Sequence, residues 1–597
     1  MLSQSFSDQN ASSRSQFLQQ WGEILILFSL LALALLLYTL DLGGVALRDW
    51  DEGIVAQVAR EITQADLNWL YPKIQGTPYF NKPPLVHWLI SLTYSIAGVH
   101  EWTTRLVPAI LTATSVPLLY LLGKELFHQR SASLLSACVY LTLLPMVRHG
   151  RLAMLDGVVI CFFLMMAISV LRSRRDLRYP LITGITFSCL CLTKGVLLGI
   201  LFAIILIIFL IWDTPRLLTS QFFWGGLLLG SAPMVLWYSA QWFHYGQHFI
   251  DANLVHQSLK RIWEPVGNHA GPPWYYVLEI LKFSTPWLFF LPQGLQLIWK
   301  NRNLSQGKFL LTWLGIYGGT ISLMNTKLPW YVLPLYPALA LIIGYQLNNI
   351  LQQSPLNLGE IFSRRQISVS NGYEPDRVPA PPITSPNSSS AYPLIITLLF
   401  YLLATLAWSL LIILWIDVFP QWQLNSIFDT YLTITLVFLA LTFTGVGWLF
   451  RENDPQFIPV LIWGLYLSLL FFITSPHWVW ELGEDYPVKP VATIVKSYTP
   501  PGQQVYTSHK FPRPSLNFYS DRAVKTAKDQ ELQQLWQQTP APYFLLDSDS
   551  FARLNLEQVK VLAMSEGWYL VTRDPHHNFD RRGIEKTDHL RNFSVSG

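Results

Sequence analysis

Long apolar runs separated by short polar and aromatic connections fill the chain from Ile24 to about Phe472. The first, Ile24 to Leu40, carries no charge, and about 20 apolar residues suffice to cross a hydrocarbon core of roughly 30 Å as a helix. Similar runs lie near 103–123, 133–147, 157–171, 180–193, 195–212, 222–240, 274–298, 309–324, 331–348, 393–416, 429–450 and 457–473. They predict a mainly α, polytopic membrane protein with about 13 transmembrane helices occupying residues 1–474. Between the first two runs, residues 42–101 form a long loop in which Ile54, Val55, Val58 and Ile62 recur at helical spacing, as in a helix lying in the membrane interface.

From Ser475 onward the pattern becomes that of a small soluble α/β domain, residues 475–597. Gln504 to Ser508, Pro542 to Leu546 and Trp568 to Thr572 read as strands, and Asp529 to Gln538 and Leu556 to Ser565 as helices. It has no Gly-rich phosphate loop, nucleophile elbow or metal spacing, which points to a supporting or acceptor-docking role. Residues 352–391 are rich in Pro, Ser and Asn. They offer too little apolar surface to offset ordering entropy and read as a flexible cytoplasmic loop.

Composition agrees with the pattern: 51% of residues are hydrophobic and 13% charged. The basic residues decide orientation, because short cytoplasmic loops collect Lys and Arg. Lys124 to Arg130, Arg172 to Arg178, Arg216, Lys300 to Lys308, Arg364-Arg365 and Arg451 all fall on one side when the runs are counted as spans. That side is the expected cytoplasm. An odd number of spans then places the 42–101 loop and the C-terminal domain outside a plasma membrane. The first run lacks a small-residue cleavage site and reads as an anchor. A net charge of +4 gives no nucleic-acid footprint. Cys138, Cys161, Cys189 and Cys191 sit inside apolar runs, where free Cys behaves as a small hydrophobe.

Chemistry concentrates on the outside. Asp51 follows the first span and precedes a helical stretch, where it could simply cap amides, but Glu52 is adjacent and Lys82 follows in Tyr79-Phe-Asn-Lys82-Pro-Pro84. Acid next to base near lipid suits transfer onto a hydroxyl or amine, and a lysine held at headgroup depth is a natural phosphate ligand. Asp156 opens the fourth run, where a carboxylate is costly unless paired or exposed to a cavity; Arg151 could be its structural partner. Lys194 and Lys327 read equally well as interfacial lysines or as parts of a phosphate or sugar pocket, and Tyr331 and Tyr336 as belt aromatics or substrate contacts.

Together with Leu192-Thr-Lys194-Gly195, His256, Arg261, His269 before Pro273-Trp274-Tyr275-Tyr276, and Lys327-Leu-Pro-Trp-Tyr331-Val-Leu-Pro334-Leu-Tyr336-Pro337, these residues resemble the integral-membrane glycosyltransferases of the GT-C fold. The likeness is to bacterial lipid A aminoarabinose transferases and the dolichyl-phosphate-mannose protein mannosyltransferase superfamily, and runs from about Asp41 to Pro337. It implies inverting transfer of a sugar from a polyprenyl-phosphate carrier to a lipid, glycan or protein acceptor. It also implies Asp51 and Asp156 as catalytic carboxylates and Lys82 as carrier-phosphate ligand, with Arg261 a second candidate. Glu52, Tyr79, Lys194, His269, Lys327 and Tyr331 are further substrate-binding candidates. Aminoarabinose transferases tend to carry Glu before the lysine, where it joins a histidine in a metal site. Here the residue is Asn81, a poor zinc ligand, so no metal or other cofactor is expected and the sugar is left open. A polytopic transporter or lipid flippase is the alternative, but transporters place charge or broken helices at the midplane of repeated halves. An envelope-assembly scaffold leaves Asp51, Lys82 and Asp156 unexplained.

Overall fold

A computed structural model describes residues 2–64, 69–265, 269–353, 392–416, 430–479 and 487–573. The loop expected to be flexible lies, from residue 354 to 391, outside the described residues.

Every apolar run falls on helix, and the chain is a multi-pass membrane protein. Seven helices among the described residues are long and apolar enough to cross a membrane, and a pair bent by 60°, Arg130–Leu141 with Leu144–Arg151, raises the number to eight. That is fewer than the thirteen runs, and the difference has identifiable causes. The last run gives a helix of 16 residues, Phe457–Phe472. The run at 222–240 breaks at Ser231 into Gln221–Gly230 and Ala232–Tyr245, the second opened by Pro233. The run at 274–298 becomes Tyr275–Phe283, a short 3-10 turn at Trp287–Phe290 and Leu291–Lys300. Proline lacks an amide proton and suits a helix's first turn, so it restarts a helix where it would break one.

The chain divides into two compact units: residues 1–45, 62–73 and 78–480 form the first, and 46–61, 74–77 and 481–597 the second. The second therefore takes in part of the long loop besides the C-terminal domain.

In the first unit the helices enclose a large apolar core that includes Trp287, Trp313, Phe163 and Phe202. Tyr179–Lys194 and Gln221–Gly230 cross closely enough that a Cβ on Gly184 would collide with the Leu227 carbonyl, the kind of backbone approach small residues permit between membrane helices. Basic residues gather where helices end. Glu125 pairs with Arg172 at 2.8 Å and with Arg175; Asp213 pairs with Arg174 at 2.9 Å and Lys308 at 3.4 Å; Glu23 pairs with Lys124 at 2.9 Å and Arg130 at 2.8 Å. The Asp156–Ser173 helix ends in this basic layer, so Asp156 lies at the opposite end of the helix.

The long loop carries the ribbon β1 (Lys73–Ile74) and β2 (Thr77–Pro78). In the C-terminal domain β3 (Gln504–Thr507), β4 (Ala523–Thr526), β5 (Tyr543–Asp547), β6 (Val559–Ser565) and β7 (Trp568–Arg573) form one sheet in the order β4-β3-β5-β7-β6. β3 is parallel to β4 and β5, and β7 is antiparallel to β5 and β6. The three expected strands and the helix Asp529–Gln538 are present. The helix expected over Leu556 to Ser565 is instead strand β6. Glu566 and Gly567 both adopt positive φ, 51° and 75°, which is the two-residue turn that joins antiparallel strands, and pairing with β7 overrides the helical reading.

Candidate active site

Asp49–Gly53 forms a single π-turn, closed by Gly53 N–H donating to the Arg48 carbonyl at 2.6 Å. It carries three carboxylates in distinct settings. Asp49, 3% exposed, accepts from the Ser515 amide at 3.1 Å and pairs with Arg513 at 2.7 Å. Glu52 is fully buried and accepts from the Arg48 amide at 3.1 Å. Asp51 is partly exposed. The expected interfacial helix follows directly as Ile54–Gln64. Asp51 and Glu52 thus belong to the second unit, and the remaining site candidates to the first.

In the first unit Asp156 is the first residue of its helix and Lys194 the last of the Tyr179–Lys194 helix. A carboxylate at a helix N-terminus and an ammonium at a C-terminus are each favoured by the helix dipole. The two form an ion pair, with side chains 6% and 15% exposed. Lys194 Nζ also lies 5.4 Å from the centroid of the Tyr331 ring. The Tyr331 hydroxyl receives Arg261 Nη1 at 3.2 Å, and its carbonyl accepts from the Tyr317 hydroxyl at 3.0 Å. Arg261 Nη2 donates to Gln257 Oε1 at 2.6 Å, and Gln257 Nε2 donates to Asn81 Oδ1 at 3.0 Å. Asn81 precedes Lys82. A continuous polar chain therefore runs from Asp156 through Lys194, Tyr331, Arg261 and Gln257 to the residue beside Lys82.

The loop end of this chain is anchored from below. Asn253 donates to the Phe80 carbonyl at 2.7 Å, and Gln241 to the Leu70 carbonyl at 2.7 Å. Phe80 packs edge-on against Tyr245 and Phe249. Tyr79 is buried against His87, with ring centroids 5.5 Å apart, and burial pushes its phenol pKa up, so it is a neutral group.

Lys327 is 3% exposed, and its ammonium donates to the carbonyls of Ile321, Ser322 and Met324 at 2.9, 2.7 and 2.6 Å. Three donors on three carbonyls cap the Ser305–Leu323 helix. His269 is exposed, and its carbonyl accepts from the Lys327 amide at 2.8 Å. Arg151 does not pair with Asp156. Its guanidinium donates to the carbonyls of Leu37, Asp41 and Ile473 and lies 4.6 Å from the Trp478 ring centroid, with Arg105 at 5.7 Å from the same ring. Leu152 and Met154 pack with Trp478, so this stack fixes the segment leading to Asp156.

The metal site suggested by the resemblance does not fit these residues. Asn81 Oδ1 already accepts from Gln257, and an amide oxygen is a weak zinc donor beside a carboxylate. Sequence reading missed Gln257, Tyr317, Trp478 and the role of Asp49. Of these, Gln257 carried a signal, standing four residues before Arg261 on one helical face.

Residues 81–238 match the family described as dolichyl-phosphate-mannose-protein mannosyltransferase. An undecaprenyl phosphate-alpha-4-amino-4-deoxy-L-arabinose arabinosyl transferase of Pseudomonas fluorescens is 30% identical over 321 residues, covering 52% of this chain and 57% of that protein. The corresponding transferase of Erwinia tasmaniensis is 28% identical over 342 residues, covering 54% and 58%. The chain thus spans under three fifths of the length of these relatives. ArnT from Cupriavidus metallidurans, solved with undecaprenyl phosphate bound, superimposes with a TM-score of 0.68 at 16% identity over 92% of this chain and 98% of that one. The apo form of the same protein gives 0.62 over 91% and 97%. The chain is therefore ArnT-like in fold.

Proposed function

We propose that this protein is a membrane glycosyltransferase that moves a sugar from a polyprenyl-phosphate carrier to a lipid, glycan or protein acceptor. The observation that carries the reading is the polar chain from Asp156 to Asn81, which sets Lys194 and Arg261 in one network beside Lys82. Its fold is that of a protein solved with undecaprenyl phosphate. A phosphate monoester leaving group needs fixed cations to neutralise charge as the bond to the sugar breaks, and Lys82 and Arg261 are the proposed ligands. Asp51 is the proposed base if the acceptor is a hydroxyl, and Asp156, held by Lys194, is the second proposed catalytic carboxylate. Attack opposite the carrier phosphate inverts the anomeric centre. Aminoarabinose is the first sugar to test, because the relatives carry that name.

In this reading the basic helix ends face the cytoplasm, Asp156 and the C-terminal domain lie outside, and the short and broken helices complete about 13 crossings of a bilayer. The ion pair of Asp156 and Lys194 sits at helix ends, which argues against a transporter's midplane site.

Lys82→Ala and Arg261→Ala are each expected to raise the donor KM by about 10- to 100-fold, the worth of one charge-assisted hydrogen bond to phosphate. Kinetics against carrier-linked sugar check this, and an unchanged KM in both would remove them from the phosphate site. Because Asn81 is engaged by Gln257 rather than poised for a metal, transfer is expected to persist in EDTA. Loss of transfer with chelator and its return with a divalent ion would show a metal site that the Asn81 argument misses. Mass spectrometry of membrane lipids and envelope glycans from cells with and without the gene tests the function itself. Identical profiles would count against it; a sugar missing from one acceptor would name both substrates.

A further inference from the structure

The turn that carries Asp51 is held from the C-terminal domain, within the second unit. Asp49, two residues before Asp51, is buried and takes its partners from that domain: the Arg513 guanidinium at 2.7 Å, the Ser515 amide at 3.1 Å and the Ser515 hydroxyl. On the turn's N-terminal side, the Leu47 amide donates to the Tyr519 hydroxyl at 2.9 Å. On its C-terminal side, Arg60 donates to the Phe518 carbonyl at 3.1 Å and pairs with Asp521. All these partners lie on or beside the short helix Pro514–Ser520. The approach is close enough that a Cβ on Gly53 would lie 2.8 Å from the Ser515 nitrogen and 3.2 Å from the Pro514 carbonyl carbon.

A lone π-turn is an uncommon backbone form that recurs at functional sites. Here the Gly53 amide closes it on the Arg48 carbonyl and Glu52 accepts from the Arg48 amide, while partners from Arg513 to Asp521 hold it from outside. A buried carboxylate is retained only when paired and hydrogen-bonded, so the hold of Arg513 and Ser515 on Asp49 helps to fix the turn.

We propose that Arg513 and Ser515 are positioning residues for Asp51, acting through Asp49, so that the C-terminal domain builds part of the catalytic apparatus. This rests on the reading of Asp51 as the working carboxylate. Near-attack geometry is steep enough that about 1 Å of misplacement costs on the order of 100-fold in rate.

The test uses the full purified protein with Arg513→Gln, Arg513→Lys and Ser515→Ala, and with Asp51→Asn as control. Two quantities are read: kcat and KM for the carrier-linked sugar, and the number of undecaprenyl phosphate molecules bound per protein. Arg513→Gln is expected to lower kcat by about 10- to 100-fold. Donor KM should stay within about twofold and carrier stoichiometry at the wild-type value, because the proposed phosphate ligands belong to the other unit. Arg513→Lys, which keeps the charge, is expected to regain a substantial part of the rate. A wild-type kcat in both Arg513→Gln and Ser515→Ala overturns the proposal. So does a carrier stoichiometry that falls in step with activity, which marks a role in folding alone. Wild-type turnover by Asp51→Asn overturns the underlying reading of Asp51 and this proposal with it. An inactive Asp51→Asn beside fully active Arg513 and Ser515 variants overturns the positioning role only.

Discussion

Asp51→Asn is expected to lower kcat by about 10³-fold or more while the protein still folds and still binds the carrier. The change is nearly isosteric and removes charge and proton-accepting capacity, and a positioned general base is typically worth about 10²- to 10⁴-fold. Among the three acids of the turn, Asp49 is committed to Arg513 and Ser515, and Glu52 is buried on the Arg48 amide. Asp51 is the partly exposed one. Asp49→Asn and Glu52→Gln should therefore lower stability as well as rate, whereas Asp51→Asn should lower rate alone. Thermal unfolding beside turnover separates the three, and an Asp51→Asn protein that transfers sugar at the wild-type rate would refute the assignment.

Lys194→Met is expected to cost both stability and activity, the latter by about 10²-fold or more, because it strands Asp156. Removing one member of a buried ion pair costs about 3–5 kcal/mol, most of it the penalty for the charge left behind. Both side chains are well below a third exposed, so solvent screening is modest. Asp156→Asn strands Lys194 in the same way. The double variant Asp156→Asn/Lys194→Met is expected to regain most of the thermal stability, since no buried charge is left unpaired, and none of the activity. A double variant that recovers turnover would mean that the pair only stabilises the protein; single variants with wild-type stability would mean that the pair is not buried in the bilayer-embedded protein.

The membrane architecture was legible because each helix is marked by a local property, an unbroken apolar run. What the runs did not reveal is where helices stop within them. Ser231 and Pro286 divide runs that hydropathy alone counts as single spans, because breaks depend on backbone hydrogen bonding rather than mean apolarity. In the C-terminal domain, Asp529 to Gln538 was legible from its amphipathic period. Val559 to Ser565 was not, since its strand state depends on pairing with β7 and on positive φ at Glu566 and Gly567.

The site shows the same division. Asp51 and Lys82 stood out as charges in the long loop after the first apolar run, and Asp156 as a carboxylate opening another run. Their partners did not, because Lys194 reaches Asp156 across 38 positions, and Arg513 and Ser515 reach Asp49 across more than 460. Arg151, near Asp156 in sequence, turned out to hold carbonyls and Trp478. The three backbone carbonyls that accept from the Lys327 ammonium are likewise announced by no sequence motif.

Reconstitution decides whether the chain transfers sugar from a polyprenyl-phosphate donor. The purified chain in lipid nanodiscs, given radiolabelled sugars on undecaprenyl phosphate with aminoarabinose first, is incubated with membrane lipid and glycan acceptors. Label is expected to move to an acceptor and free undecaprenyl phosphate to be released in equal amount, with both abolished in Asp51→Asn. Donor that stays intact across the panel, or that is carried across the bilayer without cleavage, would contradict the claim and favour a transporter.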